Sequence, residues 1–333
     1  VSEANSKLII IAETAFNHEG NLSYLLDLIE AIAESGVTHI KFQVLIDCDE
    51  FVSSSSESYD VVKSWCFSEV EWIDIFIRAE EKGLRLFLMP LDTKAVKLCE
   101  RATVDFVEIH SVSFNDRHLQ TLVNKNLQNK KLVFGLGGRT SDEIESLKNG
   151  YSEDKLVLMH GFQAFPSELE DVKLARLKYL QESFPTSVLG YADHSAPNII
   201  DATYSSIYAY HLGARIFEKH VTLELERTDS QSAFTPKQLA KYVKEMHRFE
   251  RIINESNESA FSFTEKENTY RNRQKQVVAS QKIEVGEILT SNNIVLKMHS
   301  TTGGEFCLND MINCVAKRNY NKDEVIFKDD DER

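Results

Sequence analysis

The chain has 333 residues, 42% of them hydrophobic and 27% charged, enough to bury a large core and, by length, about two domains. A net charge of −14 argues against broad attraction to nucleic acid or anionic membranes, so the expected partner is a small molecule. Five cysteines (Cys48, Cys66, Cys99, Cys307 and Cys314) are widely spaced and odd in number, which suits a reducing compartment better than a disulfide framework. No apolar run approaches the ~20 residues of a membrane span, and VSEANSKLIIIAET lacks a basic segment ahead of a cleavable apolar core, so a cytoplasmic protein is expected.

In chain order, short apolar and β-branched runs begin at Leu8 (LIIIAETAF), Thr38 (THIKFQV), Leu84 (LRLFLMPL), Phe106 (FVEIHSV), Lys131 (KLVFGLG), Lys155 (KLVLMHG), Ser187 (SVLGYAD) and Ala214 (ARIFEKHVT). Helix-period segments such as LSYLLDLIEAIAESG and SEVEWIDIFIRAEEKG lie between them, and several end at a capping glycine. This alternation predicts a closed (β/α)8 barrel, with an open doubly wound sheet as the alternative. After Pro236 a helical stretch, KQLAKYVKEMHRFERIINES, completes a barrel domain expected over 1–255. The polar segment 256–276 contains no glycine or proline and reads as a linker. From 277 to 333 the runs VVASQKI, VLKM, CVAKRNY and EVIF predict a small β-rich domain. Within it, ASQKIEVGEILTSNNI and AKRNYNKDEVIFKDDD form a weak pseudo-repeat.

In such a barrel the chemistry sits at the C-terminal ends of the strands. Glu13 is a carboxylate within an otherwise apolar strand, so it faces the barrel mouth or is neutralised. Lys41 and Gln43 share one face of the second strand, where they suit a carboxylate or phosphate, or where Lys41 simply neutralises Glu13. Asp193-His194 follows the seventh strand and Glu218-Lys219-His220 ends the eighth. Adjacent strand ends bring the two imidazoles together, and the preceding charged residues would act as their supporting partners, which predicts a divalent metal site. His18, His110 and His160 also lie near strand ends and either bind substrate or pack.

The segments IAETAFNHEGN, HIKFQ, GYADHSAPN, FEKHVTL and ASQKIEVGEILTSNNIVLKM, in that order, resemble the motifs of the sialic acid synthase (NeuB-like) family. The resemblance covers nearly the whole chain. It implies a TIM barrel followed by an antifreeze-like (SAF, β-clip) domain, a domain-swapped homodimer, and condensation of phosphoenolpyruvate with an N-acyl amino-sugar aldehyde to give a nonulosonic acid. It further implies Glu13 as catalytic carboxylate and His194 and His220 as ligands of Mn2+, with Mg2+ or another first-row ion as alternatives. Asn17, Lys41, Gln43, Ser111, Gln163, Phe165 and Asp229 become expected substrate contacts.

The departures from the family pattern fall on the phosphate-holding half. Glu108 stands in EIHS where the family has a lysine, Gly135-Leu136-Gly137-Gly138 replaces STGM, and Ala192 and Met89 replace a serine and a threonine. Phe165-Pro166 replaces a YP motif, and Met298 stands at the position of an arginine. Arg139 would restore one positive charge if its loop turned inward, beside an anion nest at Gly137 and Gly138. Two further readings therefore stand beside the synthase: an enzyme acting on a sugar acid without phosphoenolpyruvate, by aldol cleavage, epimerisation or hydration, and a non-catalytic sugar-binding homologue.

Overall fold

The structure, a computed structural model, describes residues 8–127, 130–161, 164, 166–253, 262–301 and 303–328. It divides into two compact units, 1–254 and 255–333. The first is built on eight strands: β1 (Ile9–Glu13), β2 (His39–Val44), β3 (Arg85–Pro90), β4 (Val104–Ile109), β5 (Lys131–Gly135), β6 (Leu156–His160), β7 (Val188–Asp193) and β8 (Ala214–His220). Each pairs with the next, and β1 pairs in parallel with β8 to close the barrel. The open-sheet alternative is excluded.

Alternation along the strands sorts the core into two layers. Outward residues such as Ile10, Ile40, Phe42, Leu86 and Leu88 pack against the helices. Helix Leu22–Ala33, for example, buries Leu25, Leu28, Ile29 and Ile32 against them and starts at Asn21, whose side chain accepts from Tyr24 N. Inward residues Ile11, Phe87, Phe106, Val133, Val157 and Ile216 form an apolar plug in the lower barrel. The plug is tight: a Cβ added at Gly190 would lie 2.6 Å from Met159 Sδ. One layer higher the same inward parity presents Glu13, Lys41, Glu108 and Glu218, so charge is buried directly above the apolar floor.

Asp193 and Lys219, the last and next-to-last residues of β7 and β8, make a separate buried ion pair. Lys219 Nζ lies 3.0 Å from Asp193 Oδ2, donates to Ser195 O at 2.9 Å and stands over the Phe234 ring. Asp193 is therefore committed to Lys219 and to Ser195 N rather than to His194, contrary to the supporting role expected for it. The physical reason is strand alternation, which places Lys219 on the face opposite Glu218 and His220. Lys219→Met is expected to cost about 3–5 kcal/mol, the usual penalty for stranding one partner of a buried pair. Equilibrium urea denaturation checks this; a loss under about 1 kcal/mol, within the range of exposed pairs, would refute it.

Helix Pro236–Ile253 buries Leu239, Tyr242, Val243, Met246 and Phe249 and ends the first unit. The expected linker 256–276 is not featureless. Helix Glu265–Arg271 lies inside it, started by a capping box of Thr264 and Glu267, and β9 (Lys275–Ala279) begins before residue 277. β9 pairs antiparallel with β10 (Ile294–Met298) around a core that includes Val277, Ile283, Leu289, Met311 and Tyr320.

CVAKRNY and EVIF do not form ladders. They contribute the isolated bridges Ile283 to Tyr320, Ile288 to Val315 and Val278 to Val325, because left-handed residues at Gly286, Asn313 and Asp323 turn the chain after a few residues. The pseudo-repeat nonetheless has a structural counterpart in an approximate two-fold relation. Ile283 and Tyr320 exchange N–H···O bonds of 2.9 Å in both directions. Ala279 N donates to Glu324 O at 2.9 Å as Ala316 N donates to Glu287 O at 2.8 Å. Gly286 and Asp323, at matching positions, both have positive φ. Among the described residues no helix is long and apolar enough to cross a membrane.

Candidate active site

A cavity of about 300 Å³ opens at the C-terminal ends of the strands. Of the residues expected from sequence, Glu13, Lys41, Gln43, Ser111, His194, His220 and Asp229 line it. Gln163 and Phe165 lie outside the described residues. Asn17 and Arg139 are placed elsewhere.

Lys41 is the centre of the arrangement. Its Nζ lies 2.8 Å from Glu108 Oε2, 2.8 Å from Glu218 Oε2 and 3.1 Å from Glu13 Oε2, with all four side chains buried. The neutralisation of Glu13 by Lys41 weighed from sequence is thus real, but it is one third of the contact. Gln43 Nε2 donates to Glu13 Oε1 at 2.8 Å, so both oxygens of Glu13 are held. Burial alone would push Glu13 up, but Lys41 and His220 outweigh it and hold the carboxyl well below its usual range. Glu218 is driven well above that range by burial and by the charge of Glu13, and Glu108 is raised mainly by burial. Glu218 also hydrogen-bonds Glu13, so a proton in this pair resides on Glu218.

The two histidines meet as the strand order requires. His194 Nε2 and His220 Nε2 are 3.1 Å apart, and His220 Nε2 lies 3.4 Å from Glu13 Oε2. Burial, followed by the neighbouring His220, lowers His194 to about 3, so its ring is neutral and able to ligate. The ligand atoms of His194, Glu218 and His220 all lie within 4.8 Å of one another. Two imidazoles beside a carboxyl group suit a first-row divalent ion, whose adjacent ligands at right angles sit about 3 Å apart. Glu218 was read from sequence only as a neighbour of His220. Its spacing of two residues from His220 was the available signal, since it places both on the inner face.

The loops after β1 and β8 are tied together. Glu19 accepts from Thr228 N and Thr228 Oγ1 at 2.8 Å each, and Asn17 Nδ2 donates to Thr228 O at 2.8 Å. The Asn17 amide oxygen is taken by the Tyr24 hydroxyl. Asn17 therefore fixes a loop and does not reach the cavity, contrary to its expected substrate contact; the left-handed residue Ala15, between Glu13 and Asn17, turns the chain outward. The tie delivers Asp229 to the cavity in a left-handed conformation (φ 66°), which for a non-glycine residue is strained.

Arg139 also departs from expectation. Its guanidinium pairs with Glu143 at 3.1 Å and stacks near Phe114, one turn along a short helix, instead of turning inward. His110 does line the cavity. Its Nδ1 accepts from Val112 N at 3.1 Å, which leaves Nε2 carrying the proton, and burial lowers the ring to about 4, so it is a neutral donor. His18 and His160 are packed away from the cavity, His18 accepting from Gly20 N and His160 bonding Val172 O.

A closed barrel with imidazoles, carboxylates and one lysine converging at its mouth defines a (β/α)8 enzyme-type scaffold. The NeuB family profile matches residues 28–258, and the chain belongs to the NeuB family. It is 25% identical to N,N'-diacetyllegionaminic acid synthase of Campylobacter jejuni, over 96% of this chain and 99% of that protein. It is 26% identical to human N-acetylneuraminate-9-phosphate synthase, over 93% and 88%. Its fold matches the crystal structure of a spore coat polysaccharide biosynthesis protein E from Chromobacterium violaceum with a TM-score of 0.79 at 23% identity, covering 96% and 98% of the two chains.

Proposed function

We propose that this protein is a metal-dependent sugar-acid synthase that joins C3 of a pyruvyl donor to the aldehyde carbon of an open-chain N-acyl amino sugar. The observation that carries the reading is the convergence of Glu13, Lys41, His194 and His220 in one cavity of a chain that matches, over 99% and 88% of their lengths, relatives named as an N,N'-diacetyllegionaminic acid synthase and an N-acetylneuraminate-9-phosphate synthase. His194 and His220, with Glu218 beside them, would hold the ion, Mn2+ by family resemblance. When bound, it supplies Lewis-acid polarisation of an aldehyde oxygen. Gln43 and Lys41 fix both oxygens of an ionised Glu13 against the reacting carbons. His110 Nε2 offers a neutral hydrogen-bond donor, and Asp229 can accept from sugar hydroxyls.

With phosphoenolpyruvate as the donor, as the resemblance implies, water adds at C2 and phosphate leaves. A second reading, bond making or breaking on a sugar acid without phosphoenolpyruvate, is favoured by Glu108, a carboxylate in ion-pair contact with Lys41 where the family has a cation. The common reading is tested by supplying Mn2+, either donor and a panel of N-acyl hexosamines, and detecting the sugar acid by mass spectrometry. Product lost at least ~100-fold in Glu13→Gln is expected, the scale of losing one charged group at the reacting centre. No sugar acid from any donor would overturn it.

A further inference from the structure

We infer that the donor is pyruvate itself rather than its phosphorylated enol, an inference that rests on the proposed carbon–carbon bond chemistry. Among the described residues the cavity has no lysine or arginine left uncommitted to hold a phosphate. Lys41 is the only lysine or arginine lining it among the described residues, and its ammonium is already in contact with three carboxylate oxygens at 2.8, 2.8 and 3.1 Å. Arg139, the nearest candidate to replace a lost cation, is engaged with Glu143 and with Gly137 O.

The glycine-rich turn after β5 brings no charged side chain into the cavity: Leu136 N donates to Met159 O at 3.0 Å and Arg139 N to Leu136 O at 3.2 Å, and Gly137 lines the space with backbone alone. At Gly135 an added Cβ would lie 3.1 Å from Glu108 Oε1 and 3.1 Å from Ser111 N. Glycine here makes room for the Glu108 carboxylate, so the two residues form one acidic wall. Glu13, Glu108, Glu218 and Asp229 all face the same space.

Lys41 is shared among three carboxyl groups, and Asp229 adds a fourth to the same space. Phosphoenolpyruvate would bring its carboxylate and its phosphate into that field, whereas pyruvate brings one negative charge. For one carboxylate the wall does offer neutral donors, His110 Nε2–H and the Ser111 hydroxyl.

The balanced step is an aldol addition. A C3–H bond of pyruvate breaks, C3 bonds to the aldehyde carbon, and the proton ends on the former aldehyde oxygen as a hydroxyl. No phosphate is released and no water is consumed, so the step also runs backwards, releasing pyruvate from the sugar acid.

The test is calorimetric titration of the Mn2+-loaded full chain with sodium pyruvate and, separately, phosphoenolpyruvate, followed by incubation of each with N-acetylmannosamine. Pyruvate is expected to bind at least ten-fold more tightly, and sugar acid to form from it without phosphate release. Glu108→Lys is expected to reverse the preference; the wild-type titration decides the matter should that variant not fold. Equal or tighter binding of phosphoenolpyruvate, absence of pyruvate binding, or sugar acid formed with stoichiometric phosphate each overturn the inference. Of these, the last leaves the proposed synthase intact, whereas sugar acid from neither donor sinks both.

Discussion

Protein carrying both His194→Ala and His220→Ala is expected to retain no divalent ion after gel filtration in Mn2+, while wild type retains about one per chain by elemental analysis. Their Nε2 atoms, 3.1 Å apart, are the two nitrogen donors of the site, and Glu218 alone offers only a carboxylate that burial and Glu13 keep protonated. An ion held by the folded site and not by the unfolded chain stabilises the fold, so its binding should be visible as stability. An ion present at 100 times its dissociation constant adds about 2.7 kcal/mol, which for a domain of this size raises Tm by roughly 5–10 °C. Chelation should remove that increment from wild type and leave the double variant unchanged. Undiminished metal content in the double variant would refute the assignment of these histidines.

The barrel was legible because each strand is a short apolar run between helix-period segments, and parallel strands buried on both faces need such runs. The site was legible where parity governs it: Lys41 and Gln43 do share an inner face, and His194 and His220 do meet. Parity was also the signal for Glu218. It was missed because His220, two residues on, invites a reading of its neighbours as supporting partners, whereas Lys219 faces outward to Asp193.

Where the chain leaves the strands, sequence carries less. Asn17 is four residues from Glu13 yet turns away through the left-handed Ala15, and Arg139 is captured by Glu143 one helical turn ahead. Neither follows from a period of two or 3.6. The helix at Glu265–Arg271 did have a readable sign, Thr264 followed three residues on by Glu267, but its polar surface gives no apolar stripe to support it. The two-fold relation in the second unit was present in the text of the sequence as similar phrases; only hydrogen bonding between them distinguishes it from chance.

Lys41→Met is expected to produce the largest single loss of stability near the site. One ammonium serves Glu13, Glu108 and Glu218, all nearly inaccessible to solvent, so its removal strands three carboxylates at once. Breaking one buried pair typically costs about 3–5 kcal/mol, and the loss here is bounded below by that figure at neutral pH.

The pH dependence has a definite sign. Burial already raises Glu108 and Glu218 with Lys41 present, and without it they rise further, so the folded state binds more protons than the unfolded one. Their protonation stabilises the fold below the ordinary carboxylate range, and that stability is lost as pH rises through the raised folded values. Urea midpoints of Lys41→Met should therefore fall from acidic to neutral pH relative to wild type. Adding Glu108→Gln to Lys41→Met should recover part of the loss, because a neutral amide needs no counter-ion, whereas Glu108→Gln in the wild-type background should be far milder. Should Lys41→Met keep wild-type stability at neutral pH, the lysine would not be what holds these three carboxylates together.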